Sequence, residues 1–79
     1  MDELIGFVTG NNNRQKILAL LGSKGELDPA RIAKTTHMVR ISVDRILKDL
    51  LEKGLVVKEG EMYQLTALGG TVERQVHNM

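Results

Sequence analysis

Between Arg40 and Leu55 runs RISVDRILKDLLEKGL, and no other stretch of the 79 residues restricts the fold so tightly. Val43, Ile46, Leu47, Leu50 and Leu51 recur at i, i+3, i+4, i+7 and i+8, one apolar stripe at the helical period. Ile41, Arg45, Lys48, Asp49 and Glu52 fall on the opposite side. Gly54 then offers the left-handed residue that commonly ends a helix, and an apolar, strand-like run begins at once. A helix buried on one face, basic at the start of the other, and leading straight into a hairpin has the form of a nucleic-acid reading head.

The stripe needs something to pack against, and composition limits what that can be. A chain of 79 residues reads as a single domain over 1–79. Domains of this size bury only about 60% of their unfolded surface, so the core is small. Cysteine is absent, which excludes both a disulfide and a thiolate metal site. Phe7 and Tyr63 are the only aromatics, so the core is expected to be Leu, Ile and Val with Met as filler. No apolar run approaches the roughly 18 to 20 residues that cross a bilayer, and no signal-peptide pattern opens the chain. The reading is a soluble, cytoplasmic protein with no membrane partner.

Net charge is only +1, low for a nucleic-acid binder, so the distribution of charge decides. Between Arg31 and Lys48 five basic residues face one acidic residue, Asp44. From Asp49 to Glu61 the balance turns acidic.

The flanking segments supply packing partners. Met1 to Val8 is a short amphipathic piece with Leu4, Ile5 and Val8 on one side and Asp2 and Glu3 near its start. Asn11, Asn12 and Asn13 interrupt it as a polar loop. Asn12 with Gln15 resembles a capping box for a helix from Arg14 to Leu21 that buries Ile17, Leu18, Leu20 and Leu21, with Gly22 and Gly25 at its exit. Leu27-Asp28-Pro29 is the clearest start signal: Asp28 at the N-cap, Pro29 at the first helical position, and Leu27 placed to staple onto Ile32. That helix runs from Pro29 to about Thr35 with Ile32 and Ala33 inward. A turn is expected over Thr36 to Val39, with His37 able to take positive φ.

After Gly54, Leu55 to Lys58 and Glu61 to Leu65 read as two strands around Glu59-Gly60, with a type I turn and Gly60 in a left-handed bulge position. Thr66 caps a last helix from Ala67 to about His77, which Gly69 and Gly70 weaken by roughly 1 kcal/mol each relative to alanine. Its apolar line is read as Leu65, Leu68, Val72 and Met79. A helix-turn-helix over about 28–53, a wing over about 55–65 and a terminal helix over about 67–77 make an α+β, mostly helical fold.

The run IAKTTHMVRISVDRILKDLLEKGLVVKEGEMYQLTALG resembles the winged helix-turn-helix of MarR-like and ArsR-like transcription regulators, especially small archaeal ones. Ile32-Ala33, the helix with Val43, Arg45, Leu47 and Leu50, the junction Glu52 to Val56, and the wing exit Tyr63 to Thr66 carry the likeness. It implies a winged helix with a two-stranded hairpin wing and a C-terminal helix, acting as a sequence-specific regulator on double-stranded DNA. In such families the second helix of the motif enters the major groove. Carried over, Arg40, Ile41, Ser42 and Arg45 come near base edges, Lys48 and Lys34 near phosphates, and Arg31 more weakly so. Arginine matches the paired acceptors of guanine, and Ile41 suits a thymine methyl.

Asp44 to Lys48 and Asp49 to Lys53 read as ion pairs one helical turn apart. The wing tip, Lys58-Glu59-Gly60-Glu61, places two carboxylates where DNA-lying wings carry cations, which argues against deep minor-groove insertion. Regulators of this type read two-fold sites, so a homodimer is expected, joined through the terminal helix and the Met1 to Val8 segment. The alternative is a winged helix serving as a protein–protein interaction module in a larger complex. His37 and His77 are the only histidines and have no carboxylate or ligand spacing around them, so neither an enzyme nor a cofactor site is expected.

Overall fold

Three helices begin where a side-chain oxygen takes up the first free backbone N–H groups. Asn11 caps one, its Oδ1 accepting from the N–H of Asn13 at 2.9 Å and of Arg14 at 3.1 Å. Asp28 caps the second by accepting from Arg31 N–H at 2.7 Å, with Pro29 at the first position. Thr66 caps the third by accepting from Gly69 N–H at 3.0 Å. The computed structural model describes residues 1–78 and orders the elements as α1 (Asp2–Thr9), α2 (Asn12–Lys24), β1 (Glu26–Leu27), α3 (Pro29–Thr36), α4 (Arg40–Glu52), β2 (Val56–Glu59), β3 (Met62–Leu65) and α5 (Ala67–His77).

This is the expected α+β winged helix, with four departures in its first half. The cap of α2 is Asn11, not Asn12, because the extended backbone of Asn11 aims its side chain at the free N–H groups. The helix also runs through Gly22 to Lys24 and stops at Gly25, where φ is +89°. A Cβ on Gly22 would come 2.9 Å from the Glu73 carboxylate of α5, the end of a flexible side chain. Leu20, expected inside, is half-buried at the core's edge. The fourth departure is β1, which nothing in the sequence announced: Glu26 pairs with Gln64 and Leu27 with Tyr63, giving an antiparallel sheet in the order β1-β3-β2.

The core is entirely aliphatic. Val8, Ile17, Leu18, Leu21, Ile32, Val43, Ile46, Leu47, Leu50, Leu55, Val56, Val72 and Val76 form one buried cluster, and among the described residues no polar or charged side chain is buried. Each such side chain contributes about 1.5–3 kcal/mol when fully buried, so the stripe of α4 is the largest single stabilising contribution. Met38 packs against the edge of this cluster rather than filling its centre. Leu51, expected in the stripe, remains 37% exposed. It lies at the stripe's margin, one residue before the end of α4.

In α5 the contact line is Gly69, Val72 and Val76, rotated from the one expected; Leu68 is 39% exposed, and Met79 lies outside the described residues. Gly69 causes the rotation. Its Cα lies so close to Leu55 that a Cβ would fall 1.9 Å from the Leu55 carbonyl oxygen. The glycine read as a weakness is therefore what lets α5 cross the α4–β2 junction. The hairpin turn also differs. Glu59 faces Met62, so the two turn residues are Gly60 and Glu61, with positive φ only at the glycine. Glycine first in a two-residue loop is the type II′ arrangement, and it spares the glutamate an unfavourable φ.

Candidate nucleic-acid interface

α3, the turn and α4 place the expected residues. α3 ends at His37 in the left-handed region, φ 59° and ψ 29°, the one non-glycine residue with positive φ among those described. The N–H groups of His37 and Met38 both reach the Ala33 carbonyl, closing the helix end without a glycine. α4 then starts at Arg40 with its inner residues Val43, Ile46, Leu47 and Leu50 in the core. Opposite them, Ile41, Arg45 and Lys48 succeed each other at i, i+4 and i+7 as one outward line, all exposed. Neither Arg45 nor Lys48 has an ion-pair partner among the described residues. Ser42 is half-buried at the margin of this line.

Arg40 is differently placed. Its Nε donates to Asp44 Oδ1 at 3.0 Å, an exposed pair along one ridge of the helix. It also shares a shallow cleft with Asp28, Pro29, Ala30 and the wing-tip residue Glu61. The expected pairing of Asp44 with Lys48 is replaced by this one. Asp49 likewise pairs not with Lys53 but with Arg14 of α2, at 3.5 Å, and is half-buried rather than on the solvent face. The reason lies in α1: Arg14 also donates to the Phe7 carbonyl at 3.0 Å and stacks 4.1 Å from the Phe7 ring centre, so it is already fixed beside α4. Lys53 is drawn to the same ring, 5.4 Å from its centre.

Lys34 stands exposed in the last turn of α3. Arg31, also exposed, lines a cleft with Lys24, Leu27, Asp28, Thr35 and Met62, between α3 and the wing strand. Lys24 escaped the sequence reading because only the fold brings the end of α2 beside α3. Two of the wing's charged side chains make contacts of their own: Gln64 Nε2 donates to Glu59 Oε1 at 2.7 Å, and Lys58 lies 5.8 Å from the Tyr63 ring centre on the paired strand. Among the described residues no cluster of potential metal ligands exists, and no helix is long and apolar enough to cross a membrane.

α1 and α5, the segments expected to join two copies of the chain, pack on each other and on α2, with Val8, Val72 and Val76 inside. Outward they leave Leu68, with Met1 exposed just before α1 and Leu4, Ile5 and Phe7 half-buried.

Residues 2–79 match the family described as HVO_A0261 N-terminal domain. Among solved structures, ligand-free NadR is 29% identical over 86% of this chain and 52% of its own, with a TM-score of 0.82. NadR in complex with 4-hydroxyphenylacetate is 26% identical over 96% of this chain and 60% of its own, at 0.84. The reduced form of MarR from E. coli shares the fold at 24% identity, over 82% of this chain and 49% of its own, at 0.79. The chain spans about half the length of these structures. No curated protein sequence matches it. The fold is that of MarR-like winged helix-turn-helix regulators.

Proposed function

We propose that this chain, which belongs to the HVO_A0261 N-terminal domain family, binds double-stranded DNA in the cytoplasm as a sequence-specific transcription regulator, with α4 in the major groove. One observation carries the reading: the outward line Ile41, Arg45 and Lys48 is exposed and unpaired among the described residues, while the inner line of the same helix lies wholly in the core. A face that contributes nothing to the fold yet concentrates cations fits a polyanionic groove.

Arg45 serves as the base-reading guanidinium, Ile41 as its apolar neighbour, and Lys48 and Lys34 as phosphate contacts. Arg40 and Ser42 flank that line, Arg40 becoming available as its bond to Asp44 opens. Residues 1–79 act as one unit. Two copies bind a two-fold site with half-sites about one helical turn apart, meeting through the outer rims of α1 and α5 around Met1 and Leu68. Sedimentation that shows only monomer on a two-fold DNA site would remove the dimer.

Titration of a mixed-sequence duplex at several salt concentrations tests the reading. Neutralising Z phosphates gives a slope of about −0.9Z in log K against log salt. Absence of binding at about 50 mM salt overturns it. The acidic wing tip, with Glu59 and Glu61 exposed, favours a second reading, a protein-interaction module, which that outcome would leave standing.

A further inference from the structure

Val39 and Ile41 are the most exposed large apolar side chains among the described residues, 66% and 67% accessible, and only Arg40 separates them. Neither serves the fold. Val39 holds the N-cap of α4 in extended conformation, and no side chain there takes up the helix's first N–H groups. Valine is among the poorest residues at that position, where Ser, Thr, Asn or Asp would supply the bond. Ile41 stands at the head of the outward line that continues through Arg45 and Lys48. Single exposed apolar residues are ordinary, but here two bracket an arginine at the leading turn of one helix.

The cations on the same line select a polyanion as occupant rather than an apolar protein face. Within a major groove the apolar feature a side chain can meet is the 5-methyl group of thymine, which 5-methylcytosine also carries. Two residues span at most about 7 Å of chain, comparable to one or two base-pair steps of about 3.4 Å. We infer that Val39 and Ile41 together form a bracket for pyrimidine 5-methyl groups, so that the chain distinguishes methylated from unmethylated pyrimidines on either side of the base pair nearest Arg40. The inference rests on the DNA-binding reading above and adds the chemistry by which that DNA is chosen.

Two duplexes of equal length, alternating dA-dT and alternating dA-dU, carry the same charge and the same hydrogen-bonding edges and differ in the methyl alone. Anisotropy titrations should show the dA-dT duplex bound about fourfold more tightly per methyl contacted, or about four- to fifteenfold in all. Alternating dG-dC with and without 5-methylcytosine should differ in the same direction. In the double variant Val39→Ser, Ile41→Ser the ratio should fall to near one. Equal affinities of the unaltered protein within each duplex pair overturn the bracket and leave the DNA-binding reading intact. A ratio that persists in the double variant also overturns it, since the methyl would then act through duplex shape. Failure to bind any of the four duplexes removes the DNA-binding reading itself.

Discussion

Near its C-terminal end α4 is held from two sides: Asp49 is half-buried against Arg14, and the carbonyls of Gly54 and Leu55 just beyond the helix both accept from Thr66, at 2.6 Å and 3.0 Å. At the other end Val39, Arg40 and Ile41 are all exposed, the N-cap side chain makes no bond, and the one ion pair, Arg40 to Asp44, stays within the helix. An exposed pair of that kind contributes only about 0.2–0.5 kcal/mol. The contrast divides one element in two. Its far half is tied to α1, α2 and α5 and fixes direction, while its leading half exposes side chains that the proposed function assigns to DNA. Substitutions at the two ends should therefore register in different experiments.

The largest effect is expected at the anchored end. Gly69→Ala puts a Cβ against the Leu55 backbone, which no side-chain rotation relieves, so α5 must shift. The cost should be about 3 kcal/mol, lowering the melting temperature by roughly 4–8 °C for each kcal/mol. A thermal melt within about 2 °C of the unaltered protein would break the contrast at its firmest point. Arg45→Ala comes next and should do the reverse, weakening a preferred duplex by about 1–3 kcal/mol while shifting the urea midpoint by less than about 0.5 kcal/mol of stability. If Arg45→Ala unfolds the protein instead, the leading half is not free.

Thr66→Ala removes both the cap on α5 and the bond to Gly54, and should cost about 1.5 kcal/mol in urea unfolding. The smallest effect sharpens the contrast by sign. Asp44→Ala frees Arg40 and deletes a carboxylate from the open half, so duplex affinity at low salt should rise about twofold with stability nearly unchanged. A fall in affinity would mean that Asp44 positions Arg40 for its partner.

Features that depend on neighbours in the chain were readable in advance. The α4 stripe, the caps at Asp28 and Thr66, and positive φ at His37 and Gly60 each follow from a residue type and its immediate surroundings. Features that depend on distant partners were not. Asp49 looked like half of a helical pair with Lys53 until the fold brought Arg14 beside it. Gly69 looked like a weak point because its need arises from Leu55, across the sheet junction. β1 is only two residues long, too short for any alternation to show, and Leu27 read as part of a helix cap. For the candidate interface, the outward line of α4 was visible from its period. Val39 was missed because it precedes the helix, where periodicity gives no direction.

β1 also sets what the hairpin can do. Hairpins of two strands are marginal in water and twist readily, but β3 has a neighbour on each side, Leu27 across from Tyr63 and Lys58 across from the same residue. Swinging the tip away from α4 would break the Glu26 and Leu27 pairings directly beside the Asp28 cap. The separation between hairpin and helix therefore works as a fixed gauge. On the DNA-binding reading proposed above, a duplex that met both would have to match its groove width to that gauge, and the softness of its base steps would contribute to the fit.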